Sequence, residues 1–249
     1  MTLALFAALF FLNGQVQVAS PSSPHFKAVA FDYFVLFDPN SVVPEVEKAF
    51  PGKGAEFVRA WRSKQFEYSF LRSITSDHED FFKVTSDALD YTAEQMHLQL
   101  TSDTREQLLN AYLTLKPWPD AVSALKKLKA AGIRIITISN FSPTMLHANA
   151  KNAGMENLFD DLVSTEANST FKPDPNAYEL GMKSLHLRKD EIVFAAFGGW
   201  DAYGAKKFGY KTVWVNRFNL PTEKLGTTPD RTSANIDGLL EFVLGTSHE

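Results

Sequence analysis

The chain has 249 residues with 45% hydrophobic and 22% charged side chains, long enough for one large domain or two modest ones around a sizeable core. Its formal charge of −4, without any block of like sign, gives no reason to expect a nucleic-acid or membrane-surface partner. No cysteine is present, which removes disulfides, thiolate zinc sites and a cysteine nucleophile, and the six histidines form no H-x-x-x-H pair, so no metal is expected.

The first 23 residues differ in character from the rest. Leu3 to Leu12 is an apolar run of the length found in secretory leaders, and Val18-Ala19-Ser20 supplies small residues near a cleavage point. The run is too short to span a bilayer. A leader implies export to the periplasm or beyond; without one the protein belongs in the cytoplasm. The competing reading is a disordered extension, and under either the segment lies outside the fold.

From Lys27 to Asp38 the chain reads K-A-V-A-F-D-Y-F-V-L-F-D, an apolar stretch expected to form a strand buried on both faces of a parallel sheet. Asp32 falls at the edge of that strand. It either caps the following turn or stands in the crevice beyond the strand ends, where open α/β sheets bind ligands. A helical region follows, with Trp61, Phe66, Phe70 and Leu71 at helical spacing. A second helix is expected from His78 to about His97, with Phe81, Phe82, Val84, Ala88, Leu89 and Tyr91 on its apolar side, and a third capped by Asp103.

After Pro117 and Pro119 strand and helix alternate. Helices are expected at 121–131, 144–153, 175–185 and from about Asp201, and strands at 133–138, 192–196 and 212–215. Such alternation after an initial strand implies a doubly wound parallel sheet. The expected organisation is an α/β Rossmann-like core, residues 24–38 plus 117–249, with an inserted helical cap at 39–116.

Four polar clusters are expected at the ends of strands: Asp32, Ser139-Asn140, Lys172-Pro173 and Trp200-Asp201. Each is weak alone, since Ser-Asn is ordinary turn chemistry and a lone lysine before proline is ordinarily solvated. Strand ends of one sheet converge, however, and an Asp, a hydroxyl, a Lys and a second Asp together suit nucleophilic carboxylate chemistry. The ammonium keeps the carboxylate ionised, and the Ser and Asn donate hydrogen bonds to an anionic substrate group.

In that order the clusters resemble the haloacid dehalogenase superfamily. Further segments resemble its L-2-haloacid dehalogenases (type II): F-D-x(5)-D, A-W-R-S-K-Q-F-E-Y-S-F-L-R-S, D-F-F-K-V-T-S-D-A-L-D-Y, S-N-F-S-P, F-K-P-D-P-N-A-Y-E-L, G-W-D-A-Y-G-A and F-G-Y-K-T-V-W-V-N-R. The resemblance implies hydrolysis of a carbon–halogen bond in short (S)-2-haloacids without a metal or other cofactor, through an ester on Asp32. It also implies that Arg62 and Asn140 stabilise the leaving halide and that Ser139 holds the substrate carboxylate. Lys172 would pair with Asp32, Tyr178 and Asp201 would position Lys172 and the hydrolytic water, and Phe66, Phe81 and Trp200 would line the apolar pocket. Without the resemblance, those three aromatics read as core. A small-molecule 2-haloacid is the expected partner, with a homodimer as the expected assembly.

Several positions depart from the family pattern. The loop after Asp32 is one residue shorter and lacks the usual Gly-Thr, Ala196, Phe197 and Gly198 stand where Ser, Ser and Asn are usual, and Phe141 replaces a glycine. From these losses a loosely held Lys172 and slow ester hydrolysis are expected. Two rival readings come from other classes. A metal-dependent phosphatase needs an acid two residues after the nucleophile, where Phe34 stands, and a degenerate homologue would bind a small carboxylate or a partner without turnover.

Overall fold

The computed structural model describes residues 26–245; the expected leader lies outside the described residues. Strands β1 (Ala28–Phe31), β2 (Arg134–Thr137), β3 (Ile192–Ala196), β4 (Lys211–Val215) and β5 (Arg231–Ser233) form one parallel sheet in the order β2-β1-β3-β4-β5. A further extended segment bridges the outer edge of β2 at Asp161 and Ser164. All four residues of β1 and all five of β3 are buried, which is why both read as uninterrupted Val, Ala, Ile and Phe runs.

The first strand is shorter than its sequence suggests. It stops at Phe31, and the apolar residues after Asp32 form a single helical turn, α1 (Tyr33–Leu36). The reason is local: Asp32 Oδ1 accepts the Phe34 N–H at 2.8 Å and turns the chain. Tyr33 to Leu36 stay apolar because all four are buried.

Between α1 and the return of the chain at Pro117 lie a short 3-10 turn and four helices, α2 (Val43–Ala49), α3 (Gly54–Thr75), α4 (Phe81–Gln95) and α5 (Ser102–Ala111). Departure and return run side by side, with Asp38 N–H donating to Lys116 O at 2.8 Å and Trp118 N–H to Leu36 O at 2.9 Å. We treat these helices as the cap. Three expectations within them need correction. The second begins at Phe81, where Asp80 accepts the Phe82 and Lys83 N–H groups. Thr101, not Asp103, caps the third. Leu71 and Tyr91 are exposed rather than on buried faces, because the buried stripe of α3 follows Phe57, Trp61, Gln65 and Ser69.

The remaining helices, α6 (Ala121–Ala130), α7 (Pro143–Asn152), α8 (Pro175–Leu185), α9 (Gly199–Phe208) and α10 (Asp237–Leu244), accompany the sheet strands. Gly132 and Gly154, just beyond α6 and α7, have φ of +74° and +64°, the left-handed conformation that ends a helix cheaply only at glycine.

Candidate active site

The strands run parallel, so the chain leaves β1, β2, β3 and β4 at one edge of the sheet. Asp32, Ser139-Asn140, Ala196 to Gly198 and Asn216-Arg217 therefore converge there. The predicted catalytic residues Asp32, Lys172 and Asp201 meet as one buried cluster. Lys172 Nζ donates to Asp32 Oδ2 at 2.5 Å and to Asp201 Oδ2 at 2.7 Å, and Tyr178 Oη donates to Asp201 Oδ1 at 2.7 Å. Lys172 and Asp201 are sealed from solvent, while Asp32 faces a cavity.

Burial alone would lower the Lys172 pKa, but the charges of Asp201 and Asp32 outweigh it and hold the ammonium above the ordinary lysine range. Burial pushes Asp201 up to about 7, against the opposing pull of Lys172 and with a further push from Asp32. An ammonium between two carboxylates offsets the cost of burying charge in a dry site. Lys172 is thus firmly held, contrary to the expectation from the altered 196–198 segment: its partners are carboxylates just after β1 and on α9, and the lost Ser and Asn are not needed to fix it. Tyr178, expected beside Lys172 and the hydrolytic water, touches Asp201 instead: it lies behind that carboxylate, fully buried, and does not line the cavity or bind substrate directly.

The cavity in front of Asp32 has a volume of about 270 Å³. Its floor is Asp32, Ser139 and Asn140. Asn140 Oδ1 accepts the Lys172 backbone N–H at 2.9 Å, leaving the amide NH₂ as the end available to the cavity. Ser139 Oγ accepts the Phe141 N–H at 3.1 Å and retains its own proton for a further partner.

The cap supplies Arg62 and Phe66 from α3 and Phe81 from the start of α4; Trp200 comes from α9. Arg62 has no ion pair among the described residues. Its guanidinium instead faces the rings of Phe34 (5.1 Å), Phe66 (5.9 Å) and Phe197 (6.0 Å), and its Nε is enclosed without a hydrogen-bond partner. Burial lowers its pKa, opposed by Tyr112 and Asp32. An unpaired, partly desolvated guanidinium in the cavity that Asp32 faces is a ready binding site for an anion.

Aromatic contacts close the cap onto the core. Phe66 and Phe70 each meet Trp200 edge-on, at 5.3 and 5.4 Å, and Phe81 stacks on Phe141 at 5.4 Å. Sequence reasoning assigned no lining role to Phe34, Phe141, Phe197, Asn216, Arg217, Phe218, Leu220 or Glu223, all of which border the cavity. A signal existed for Asn216, a polar residue directly after a buried strand. For the aromatics there was none, because a lining phenylalanine and a core phenylalanine look alike in sequence.

Comparison with known proteins agrees with this geometry. The family model described as haloacid dehalogenase-like hydrolase matches residues 26–209. The chain is 38% identical to haloacetate dehalogenase H-2 of Moraxella sp. (strain B) over 218 residues, covering 87% of this chain and 97% of that one. It is 38% identical to (S)-2-haloacid dehalogenase of Pseudomonas sp. (strain YL), covering 88% and 94%. A solved L-2-haloacid dehalogenase of Xanthobacter autotrophicus, with chloropropionic acid covalently bound, superposes with a TM-score of 0.83 at 33% identity, over 89% of this chain and all of the other. The chain belongs to the haloacid dehalogenase-like hydrolases, on their (S)-2-haloacid dehalogenase branch.

Proposed function

We propose that the protein hydrolyses (S)-2-haloacids to (R)-2-hydroxy acids with Asp32 as nucleophile. The observation that carries this reading is the pairing of the Asp32–Lys172–Asp201 cluster with an unpartnered Arg62 guanidinium across an apolar cavity. An Asp32 oxygen attacks C2, forming a C–O bond as the carbon–halogen pair leaves with the halide. Attack from the opposite side inverts C2. Arg62 and the Asn140 amide stabilise the halide as charge builds on it, and Ser139 holds the substrate carboxylate. Water then adds to the Asp32 carbonyl carbon and breaks the ester at its acyl–oxygen bond, releasing the hydroxy acid with C2 untouched and one proton to solvent. Lys172 stabilises the charge on Asp32 at both ends of the cycle, and Tyr178 positions Lys172 by fixing Asp201.

Halide release from L- and D-2-chloropropionate tests this. Turnover of the L form alone, abolished in Asp32→Asn with the melting temperature nearly intact, is the expected result. Equal use of both forms, or an active Asp32→Asn, would remove the assignment. A phosphatase reading lacks a proton donor: Phe34 stands in the acid's place, with its ring in the cavity and its N–H on Asp32.

No helix among the described residues is long and apolar enough to cross a membrane. We read residues 1–23 as an export leader, which N-terminal sequencing of the mature protein would verify, and the assembly as a homodimer, which sedimentation would verify.

A further inference from the structure

From the far end of the same cavity we infer that the preferred substrates are 2-haloacids carrying an extended, uncharged alkyl chain, rather than haloacetate or halopropionate. The inference rests on the function proposed above and adds the substrate class. A volume of about 270 Å³ holds roughly nine groups of water size. A 2-halopropionate supplies only about six heavy atoms, and bonded atoms pack more closely than separate waters. The smallest substrates therefore leave space unfilled in a cavity whose lining runs from Asp32 to Leu220.

What lines that space decides what fills it. Phe34 lies 5.9 Å from Phe197, and Phe197 meets Phe218 edge-on at 5.6 Å, giving a lane of rings from the nucleophile to the surface. The lane stays apolar where it reaches solvent: Phe218 is 42% and Leu220 54% exposed, and both border the cavity. Gly198 and Gly199 form a stretch of wall without side chains.

The Arg62 guanidinium over Phe34 and Phe197 is taken by the substrate's own halide in the proposed reaction, and the other polar groups at this end are already engaged. The Asn216 carboxamide donates to Leu220 O and accepts from Leu220 N–H. Both terminal nitrogens of Arg217 are bound to Asp120, one of them also to Val35 O, and only its Nε lacks a partner. Glu223 at the rim repels a second carboxylate. An alkyl chain fits these surroundings, and a charged tail does not.

The test is kcat/KM for 2-bromopropionate, 2-bromobutyrate, 2-bromohexanoate and 2-bromooctanoate, with 2-bromosuccinate as the anionic control. A fully buried methylene is worth about fourfold, so a lane partly open to solvent should give about two- to threefold per methylene up to hexanoate. The gain should fall mainly in KM, since the tail binds the same way before and during reaction. In Phe218→Ser/Leu220→Ser, both positions being exposed, the hexanoate-to-propionate preference should drop about tenfold, a ratio in which any general loss of activity cancels. Calorimetry of propionate, hexanoate and octanoate on Asp32→Asn should show the same order of affinity. Efficient 2-bromopropionate turnover with a flat or falling series overturns the chain-length inference and leaves the dehalogenase reading standing. Preferential hexanoate binding without halide release from any substrate supports the lane and removes the dehalogenase reading instead.

Discussion

Asp32 does two jobs at once. One oxygen caps α1 through the Phe34 N–H and the other receives the Lys172 ammonium, so the bond that turns the chain also aims the carboxylate proposed as nucleophile. Burial displaces the Asp201 carboxyl from its ordinary 3.8 to about 7. Its ionised form holds Lys172, so kcat/KM should show a one-proton acid limb near pH 7, absent from the residual activity of Asp201→Asn; a pH profile flat from 5 to 8 would contradict this role. The same displacement bears on stability. The folded state binds this proton more tightly than the unfolded chain, so the contribution is complete below about 3.8 and is lost as pH rises through about 7.

The altered 196–198 segment bears on the water rather than on Lys172. Gly198 offers no side chain to orient the attacking water, so ester hydrolysis should limit the rate. The expected signature is a burst of halide near enzyme stoichiometry followed by a slow phase, in rapid-quench measurements. Linear release from the first turnover would show the water to be well placed by other groups. Restoring the usual residue at Gly198 is not a clean remedy, because a Cβ there would come 2.7 Å from the Trp200 indole nitrogen and 3.1 Å from its ring. Ala196→Ser is the better probe and should raise the slow phase more than the burst.

At the scale of elements, α8 and α9 support the catalytic cluster from behind. Gly204 on α9 allows Tyr178 and Pro173 to approach: an added Cβ would sit 2.4 Å from Tyr178 Oη and 2.7 Å from Pro173 Cβ. Gly204→Ala should therefore displace the Tyr178 hydroxyl from Asp201, lowering kcat by about tenfold or more with KM little changed, as expected for a group acting through Asp201. Wild-type kcat in that variant would mean the helix shifts without disturbing the cluster. Gly204 falls within the segment G-W-D-A-Y-G-A, but its role depends on a neighbouring helix and is invisible in sequence.

At the scale of the whole molecule, cap and core must hold together while the cavity admits substrate. Asn149 on α7 anchors the returning chain. Its Oδ1 accepts the Leu115 N–H at 2.7 Å, and its Nδ2 donates to Tyr112 O at 2.8 Å and Met145 O at 2.9 Å. These groups are buried, and removing the amide leaves them unsatisfied. Asn149→Ala should cost about 2–4 kcal/mol, with a fall in melting temperature of roughly 5–15 °C. An unchanged thermal transition by calorimetry would show that water replaces the amide.

The chain by itself determined much of this protein. The β1 and β3 runs announce a buried parallel sheet, since residues covered on both faces must all be apolar. The polar residues at the strand ends announce the crevice, since a parallel sheet gathers them on one edge. Asp32, Ser139 and Asn140 stand at such ends, whereas Lys172 lies in the turn before α8 and Asp201 inside α9, and only the fold brings those two to Asp32. Only the tertiary structure decided that Lys172 is clamped by two carboxylates rather than left loose, that Tyr178 stands behind the site rather than in it, and that Phe34, Phe197 and Phe218 line a lane to the surface. Those properties depend on which side chains meet across elements distant in sequence, and an aromatic residue carries the same local pattern whether it fills a core or walls a cavity.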